Sequence, residues 1–181
     1  MTPPNGNATA AIDDGIATAN NASSIKSENP LLRPWSDQPF HLPPFHYIRA
    51  EHFAPAFEVA MSAHLADLEA IASSSSNDFD SILGAYDRAG GLLSKVSAVY
   101  GNYISSLNTP DMQIVQTKMA PILSRHTSKT YDIPGLFEKI EIMHEMRCDK
   151  AKRGEWTSEQ ERLAERVSQH HQLDIRMYIE C

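Results

Sequence analysis

Residues 82–107 read ILGAYDRAGGLLSKVSAVYGNYISSL, and their apolar side chains recur at alternating steps of four and three residues. This spacing places one apolar stripe along an α-helix, as in helices that pack against antiparallel neighbours. The pattern predicts a single second helix over about 79–107, interrupted at Gly90-Gly91, where either another backbone approaches closely or the helix bends. The stripe consists of Ile82, Tyr86, Ala89, Leu93, Val96, Tyr100, Tyr103 and Leu107.

Helical periods continue on both sides of this segment, and no stretch shows the alternation of a strand. The sequence therefore predicts an all-α protein, built as an antiparallel helical array with short connections. Pro121 predicts a kink in the third helix, and Thr157 with Gln160 forms the capping signature of a fifth. The fourth helix is expected to point Leu136, Phe137, Ile140 and Met143 inward. The remaining helices are expected over about 51–72, 111–131, 135–149 and from 158 through 167.

Two segments of different composition precede the helices. Residues 1–29 contain no aromatic side chain and are expected to form a disordered tail, because they bury too little apolar surface to offset the entropy of ordering. Residues 30–49 are rich in proline, which disfavours helix and sheet interiors. Because bulky apolar residues lie between the prolines, we expect an extended strap on the helical domain, residues 50–167, rather than a proline-rich ligand for a recognition domain.

The charge balance narrows the range of partners. The chain has 16 Lys and Arg against 23 Asp and Glu, which gives a net charge of −7. An acidic protein of this kind is not expected to bind nucleic acid or an anionic membrane. No run of apolar residues approaches the length of a membrane span. The chain has two cysteines, Cys148 and Cys181, which fits a reducing compartment, so we expect a cytoplasmic location.

No residue forms a recognisable catalytic, cofactor-binding or metal-binding motif. His144-Glu145 begins like a zinc-protease helix, but Cys148 stands where a second histidine is required. His64 and His126 fall on apolar stripes, where buried and hydrogen-bonded imidazoles are the expected outcome. The tyrosines of the second helix are expected to be core residues rather than a base-stacking platform. We therefore predict no catalytic, cofactor or metal residue in this chain.

The order of several short segments resembles the N-terminal region of one family of zinc metallopeptidases, which includes thimet oligopeptidase, oligopeptidase A and the peptidyl-dipeptidases. The resemblance extends over about 29–167 and depends on the joint order of the segments, since none is a catalytic signature. The segments are NPLL (29–32), LPPF (42–45), IRAEHFAPAF (48–57), MSAHLADLEAI (61–71), FDSILGAYDRAGGLLS (79–94), MAP (119–121), PGLF (134–137) and SEQERL (158–163).

The resemblance implies a peptidase function whose zinc site is missing from this sequence. Members of the family are longer, mostly helical proteins that cleave short peptides inside a deep channel. Their zinc site, a His-Glu-x-x-His helix with a downstream Glu, lies C-terminal to the region that is similar here. By resemblance, residues 50–167 form part of the channel wall, and residues 168–181 depart from the family pattern as a divergent tail.

We therefore expect a truncated N-terminal part of a zinc oligopeptidase that binds no zinc and is inactive alone. The alternative is a helical interaction module that binds a partner through an exposed stripe of the second helix. Such exposed apolar helix faces also predict self-association. A third interpretation is a helical bundle that binds a metal ion through its histidines.

Overall fold

The computed structural model describes residues 29–148 and 153–179, and within the helices it describes side chains up to Met146 and from Gly154 to Gln169. Residues 1–28 of the predicted tail lie outside the described residues. All regular elements in the described ranges are helical and none is a strand, so the predicted all-α fold class is confirmed.

The helices begin and end close to the predicted positions, with one important exception. They are α1 (Phe53–Ser73), α2 (Ala85–Arg88), α3 (Gly91–Leu107), α4 (Pro110–Tyr131), α5 (Leu136–Cys148) and α6 (Ser158–Ile179). Short 3-10 turns occur at Pro39–His41, Ala50–His52 and Arg153–Glu155, and a π-helical turn at Asp80–Gly84 precedes α2. Because α6 continues to Ile179, much of the predicted C-terminal tail has a helical backbone.

Side-chain hydrogen bonds satisfy backbone N–H groups at several helix starts within the described residues, including Thr109 before α4. The Thr157 N–H donates to Oε1 of Gln160 at 2.8 Å, and the Gln160 N–H donates to Oγ1 of Thr157 at 3.3 Å, which confirms the predicted capping box. Before the π-helical turn, Asp78 accepts from the Ser81 N–H at 2.9 Å. Hydrogen bonds from the Ser76 and Ser81 hydroxyls hold the pKa of the Asp78 carboxyl well below its usual range.

Helix α1 is shared by two hydrophobic cores. It packs against α3 and α4 near its start and against α5 near its end. The first core contains Leu31, Leu32, Ile48, Phe53, Ala56, Phe57, Ala60, Val96, Val99, Tyr103, Met112 and Met119. The second core contains Leu68, Ile71, Ile82, Leu83, Leu136, Ile140, Met143, Ala164 and Val167.

The second helix of the sequence analysis is broken rather than continuous. Ala89 and Gly90 separate α2 from α3, and Gly90 adopts a left-handed conformation with φ of +70°. Of the two alternatives given by the sequence, a change in helix direction is therefore the one observed. The close neighbour is a side chain and not a backbone, since a Cβ on Gly90 would lie 2.8 Å from Cδ2 of His64. Because of the break, the two halves of the apolar stripe lie in different cores. Ile82 belongs to the second core and Val96 to the first.

Other details correct the sequence-based prediction. The side chains of the second-helix stripe are buried or half-buried except for the last, Leu107, which is 56% exposed. The stripe is therefore not the exposed face that the interaction-module interpretation required. Phe137, which we expected to point inward, lies on the exposed side of α5. Asn29 is buried, although the sequence placed it in the tail. Pro121 lies within α4, and its kink stays a prediction.

The adjacent glycines provide a matched test of the break. We expect Gly90→Ala to lower the free energy of unfolding by about 1–3 kcal/mol, because alanine is strained at positive φ and its Cβ would collide with His64. Gly91→Ala is the control, since a Cβ there meets nothing within 4 Å. Urea denaturation measures both variants, and equal stabilities would contradict this explanation of the break.

Candidate functional site

The strap is attached to the helical body near its first residues. Asn29 donates through Nδ2 to the His52 carbonyl at 2.8 Å, which ties the beginning of the strap to the start of α1. The Trp35 indole N–H donates to the Pro30 carbonyl at 2.9 Å. Lys95 of α3 lies 3.8 Å from the centre of the Trp35 ring, and its ammonium group donates to a strap carbonyl at 2.6 Å.

A second attachment holds the other end of the strap. The hydroxyl of Tyr103, on α3, donates to the carbonyl oxygens of Phe45 at 3.0 Å and Ile48 at 3.3 Å. The Phe45 and Tyr103 rings are stacked at 6.3 Å, and the Tyr103 ring packs edge-on against Phe53 at 5.2 Å. The strap is therefore anchored at both ends to α3, with its middle portion between the two anchors.

The middle of the strap carries exposed apolar side chains, which we name the strap surface: Phe40, Leu42, Phe45 and Tyr47. Their exposed fractions are 91%, 55%, 43% and 64%, respectively. Phe40 and His41 both have φ of +56°, a left-handed conformation that is strained for residues other than glycine. The sequence analysis missed this surface because it expected the bulky residues of the strap to pack inward.

A cavity of about 390 Å³ opens between the two ends of the strap. Its walls combine the rings of Trp35 and Tyr47 with prolines and with the polar side chains of Asp37 and His52. Burial lowers the pKa of His52, and its Nδ1 accepts a hydrogen bond from the Arg49 N–H at 3.0 Å. The ring of His52 therefore stabilises the turn before α1.

His64 and His126 form a pair between α1 and α4. Nδ1 of His64 lies 3.0 Å from Nε2 of His126, within hydrogen-bonding distance, so that one ring donates and the other accepts. His126 is buried and His64 is half-buried against Gly90. The prediction of a buried, hydrogen-bonded imidazole is therefore confirmed for His126, whereas His64 is hydrogen-bonded and half-buried.

The surroundings of the pair favour its neutral form. Burial lowers the pKa of both rings, and the neighbouring charge of Asp67 partly offsets this effect at His64. The positive charges of a protonated His64 and of Lys129 lower the pKa of His126 further. Asp67 is held near the chain break, where its Oδ2 accepts from the Gly90 N–H at 3.4 Å.

No group of three or more His, Cys, Asp or Glu side chains within the described residues is arranged to hold a metal ion. The His144-Glu145 pair lies on α5, where His144 is half-buried, and the Cys148 side chain lies outside the described residues. Two histidines at hydrogen-bonding distance, as in the His64–His126 pair, provide fewer ligands than a structural or catalytic zinc site. None of the described helices is long and apolar enough to cross a membrane.

A comparison with known proteins gives a relative that agrees with the family resemblance. The chain is 27% identical over 122 residues to the dipeptidyl carboxypeptidase of Salmonella typhimurium. The similar region is 67% of this chain and 18% of the Salmonella protein, so the chain corresponds to a small part of its relative. No protein-family model matches the chain.

This distant similarity supports a relationship to the dipeptidyl carboxypeptidase and oligopeptidase group. The fold agrees with the helical architecture that the family resemblance implied. Two features stand out among the described residues: the hydrogen-bonded pair of His64 and His126, and the strap with its exposed aromatic rings.

The histidine pair predicts a specific pH dependence of stability. Burial lowers the folded-state pKa of both rings below the unfolded value of 6.5, so the unfolded chain takes up protons first as the pH falls. The contribution of the pair is fully present above about pH 6.5 and is lost as the pH falls through the lowered values. Urea titrations between pH 5 and 8 measure this effect.

The double variant His64→Gln/His126→Gln is the control, because glutamine retains hydrogen bonding but does not titrate. We expect a weaker decrease of the unfolding free energy below pH 6.5 in this variant, with a remaining contribution from His52. An identical pH dependence in the wild type and the double variant would contradict the assignment.

Proposed function

We propose that this chain provides the N-terminal helical part of a zinc-dependent peptidase of the dipeptidyl carboxypeptidase and oligopeptidase type. In this proposal, the helices form part of the wall of a channel that admits short peptides. The zinc ion and its ligands belong to a catalytic part outside residues 1–181, and the chain alone is inactive. The complete enzyme acts in the cytoplasm.

The similarity over 122 residues is the observation that carries the proposal. It agrees with the order of the short segments that resemble the family, from NPLL at 29–32 to SEQERL at 158–163. The architecture also fits a supporting role, since α1 connects two cores and holds neighbouring helices in a fixed arrangement. A rigid helical wall positions substrate and catalytic groups without supplying chemistry itself.

A general helical interaction module is less well supported. That alternative required an exposed apolar stripe on the second helix, whereas the side chains of the stripe other than Leu107 are buried or half-buried. Four of the eight large apolar side chains that are exposed within the described residues lie on the strap, and the other four lie on helices α3, α4 and α5. Self-association through helix faces stays a prediction and is tested together with the strap surface below.

The proposal predicts that the purified chain has no peptidase activity. We expect no release of C-terminal dipeptides from short fluorogenic peptides, with or without added zinc, because the chain lacks a His-Glu-x-x-His motif. Elemental analysis after dialysis should find no stoichiometric zinc. Chelator-sensitive hydrolysis that co-elutes with the chain in size-exclusion chromatography would contradict the proposal.

A chimera tests whether the chain can perform the proposed role within a complete enzyme. The matched 122 residues of this chain replace their counterpart in the Salmonella dipeptidyl carboxypeptidase. We expect the chimera to release dipeptides in a zinc-dependent manner, whereas a variant that lacks the segment should be inactive. A folded chimera with no more activity than the deletion variant would count against the proposed role.

A further inference from the structure

The strap surface has features of a permanent interface rather than of a solvated loop. From Gln38 to Ile48, eleven consecutive residues include no Lys, Arg, Asp or Glu, whereas 22% of the whole chain is charged. The cores of permanent interfaces are depleted in charged residues and enriched in aromatic rings. The strap surface has three such rings, on Phe40, Phe45 and Tyr47.

The strap surface also exposes a substantial apolar area. A whole aromatic side chain buries about 150–250 Å². At their exposed fractions, the four side chains of the strap surface leave on the order of 500 Å² of apolar area uncovered, which is as large as the principal apolar patch of a typical monomer. Such patches on soluble proteins usually mark an interaction site.

Backbone strain points to the same part of the strap. Phe40 is almost completely exposed, yet it lies in a left-handed conformation that costs about 1–3 kcal/mol in residues of this kind. Strain of this kind persists when surrounding contacts favour it. Within the described residues, the Phe40 ring has little contact that would compensate, so a compensating contact is expected from outside this region.

The strap surface is also continuous with the first hydrophobic core. Phe45 stacks on Tyr103, and Tyr103 packs against the buried ring of Phe53. Leu107, one helical turn beyond Tyr103, extends the apolar area along the same face of α3. A core that continues to an uncovered surface resembles a permanent interface from which one side has been removed.

We propose that the strap surface is the docking face for the catalytic remainder of the same peptidase polypeptide. This inference rests on the proposed function. The chain corresponds to 18% of its relative, so most of such an enzyme lies outside the chain and has to pack against it. An uncharged, anchored and strained surface fits an apolar face of that remainder, because a surface permanently covered within one polypeptide does not have to stay soluble by itself.

Where the transcript encodes a catalytic part beyond the Cys181 codon, the test titrates that part with chain 1–181 by calorimetry. The strap variant Phe40→Asn/Leu42→Ser removes two exposed apolar side chains, and asparagine tolerates the left-handed backbone at position 40. The control is Ile142→Ser on α5, which removes a side chain that is 37% exposed on the helix of the second core.

We expect the strap variant to weaken binding by at least about tenfold, and the control to change it by less than about twofold. Circular dichroism verifies that both variants fold. Equal binding by the wild type and the strap variant would overturn the docking proposal and leave the proposed function intact. No binding of the wild-type chain to a catalytic part that circular dichroism shows to be folded would also overturn docking.

Sedimentation velocity tests whether a second copy of the chain, rather than a catalytic part, covers the strap surface. A concentration-dependent dimer of the wild type that is lost in the strap variant would assign the surface to a second copy of the chain, and would overturn the proposal. The proposed function fails separately if no zinc-binding motif is encoded downstream, in which case docking to a catalytic remainder fails with it.

Discussion

The contact between the His64 ring and Gly90 determines the path of the chain through the two cores. A side chain at position 90 would collide with the ring, and its backbone has the positive φ that glycine adopts without strain. Because the chain turns here, the π-helical turn and α2 belong to the second core, and α3 returns to the first. His126 completes the arrangement by hydrogen bonding to His64 from α4.

Helix positions and caps were predictable because they depend on local spacing. Apolar periodicity predicted the bounds of α1 and α4, and capping chemistry predicted the Thr157 cap. The helix break at Gly90 was not predictable in this way, because the four-three spacing of apolar residues continues across it. The break depends instead on the His64 ring, which belongs to another helix. The sequence showed that Gly90-Gly91 was unusual, and only the packing distinguishes the indispensable glycine from its neighbour.

The strap shows a second limit of prediction from sequence. Apolar residues among prolines indicated packing, which holds for Leu31 and Leu32 at its beginning. Phe40 and Leu42 point outward because the chain is anchored on either side of them, a geometry that composition does not encode. The uncharged run from Gln38 to Ile48 is the sequence signal that identifies such a surface in retrospect. In the proposed function, the helices provide a rigid wall and the strap provides the attachment to the catalytic part.

The most direct measurement is to sequence the transcript beyond the Cys181 codon and translate all three forward frames. Our account predicts a His-Glu-x-x-His motif followed by a downstream glutamate, which are the ligands and general base of a zinc peptidase. If no frame encodes that motif, the central claim is contradicted, and the chain is to be understood as a helical protein without a peptidase partner.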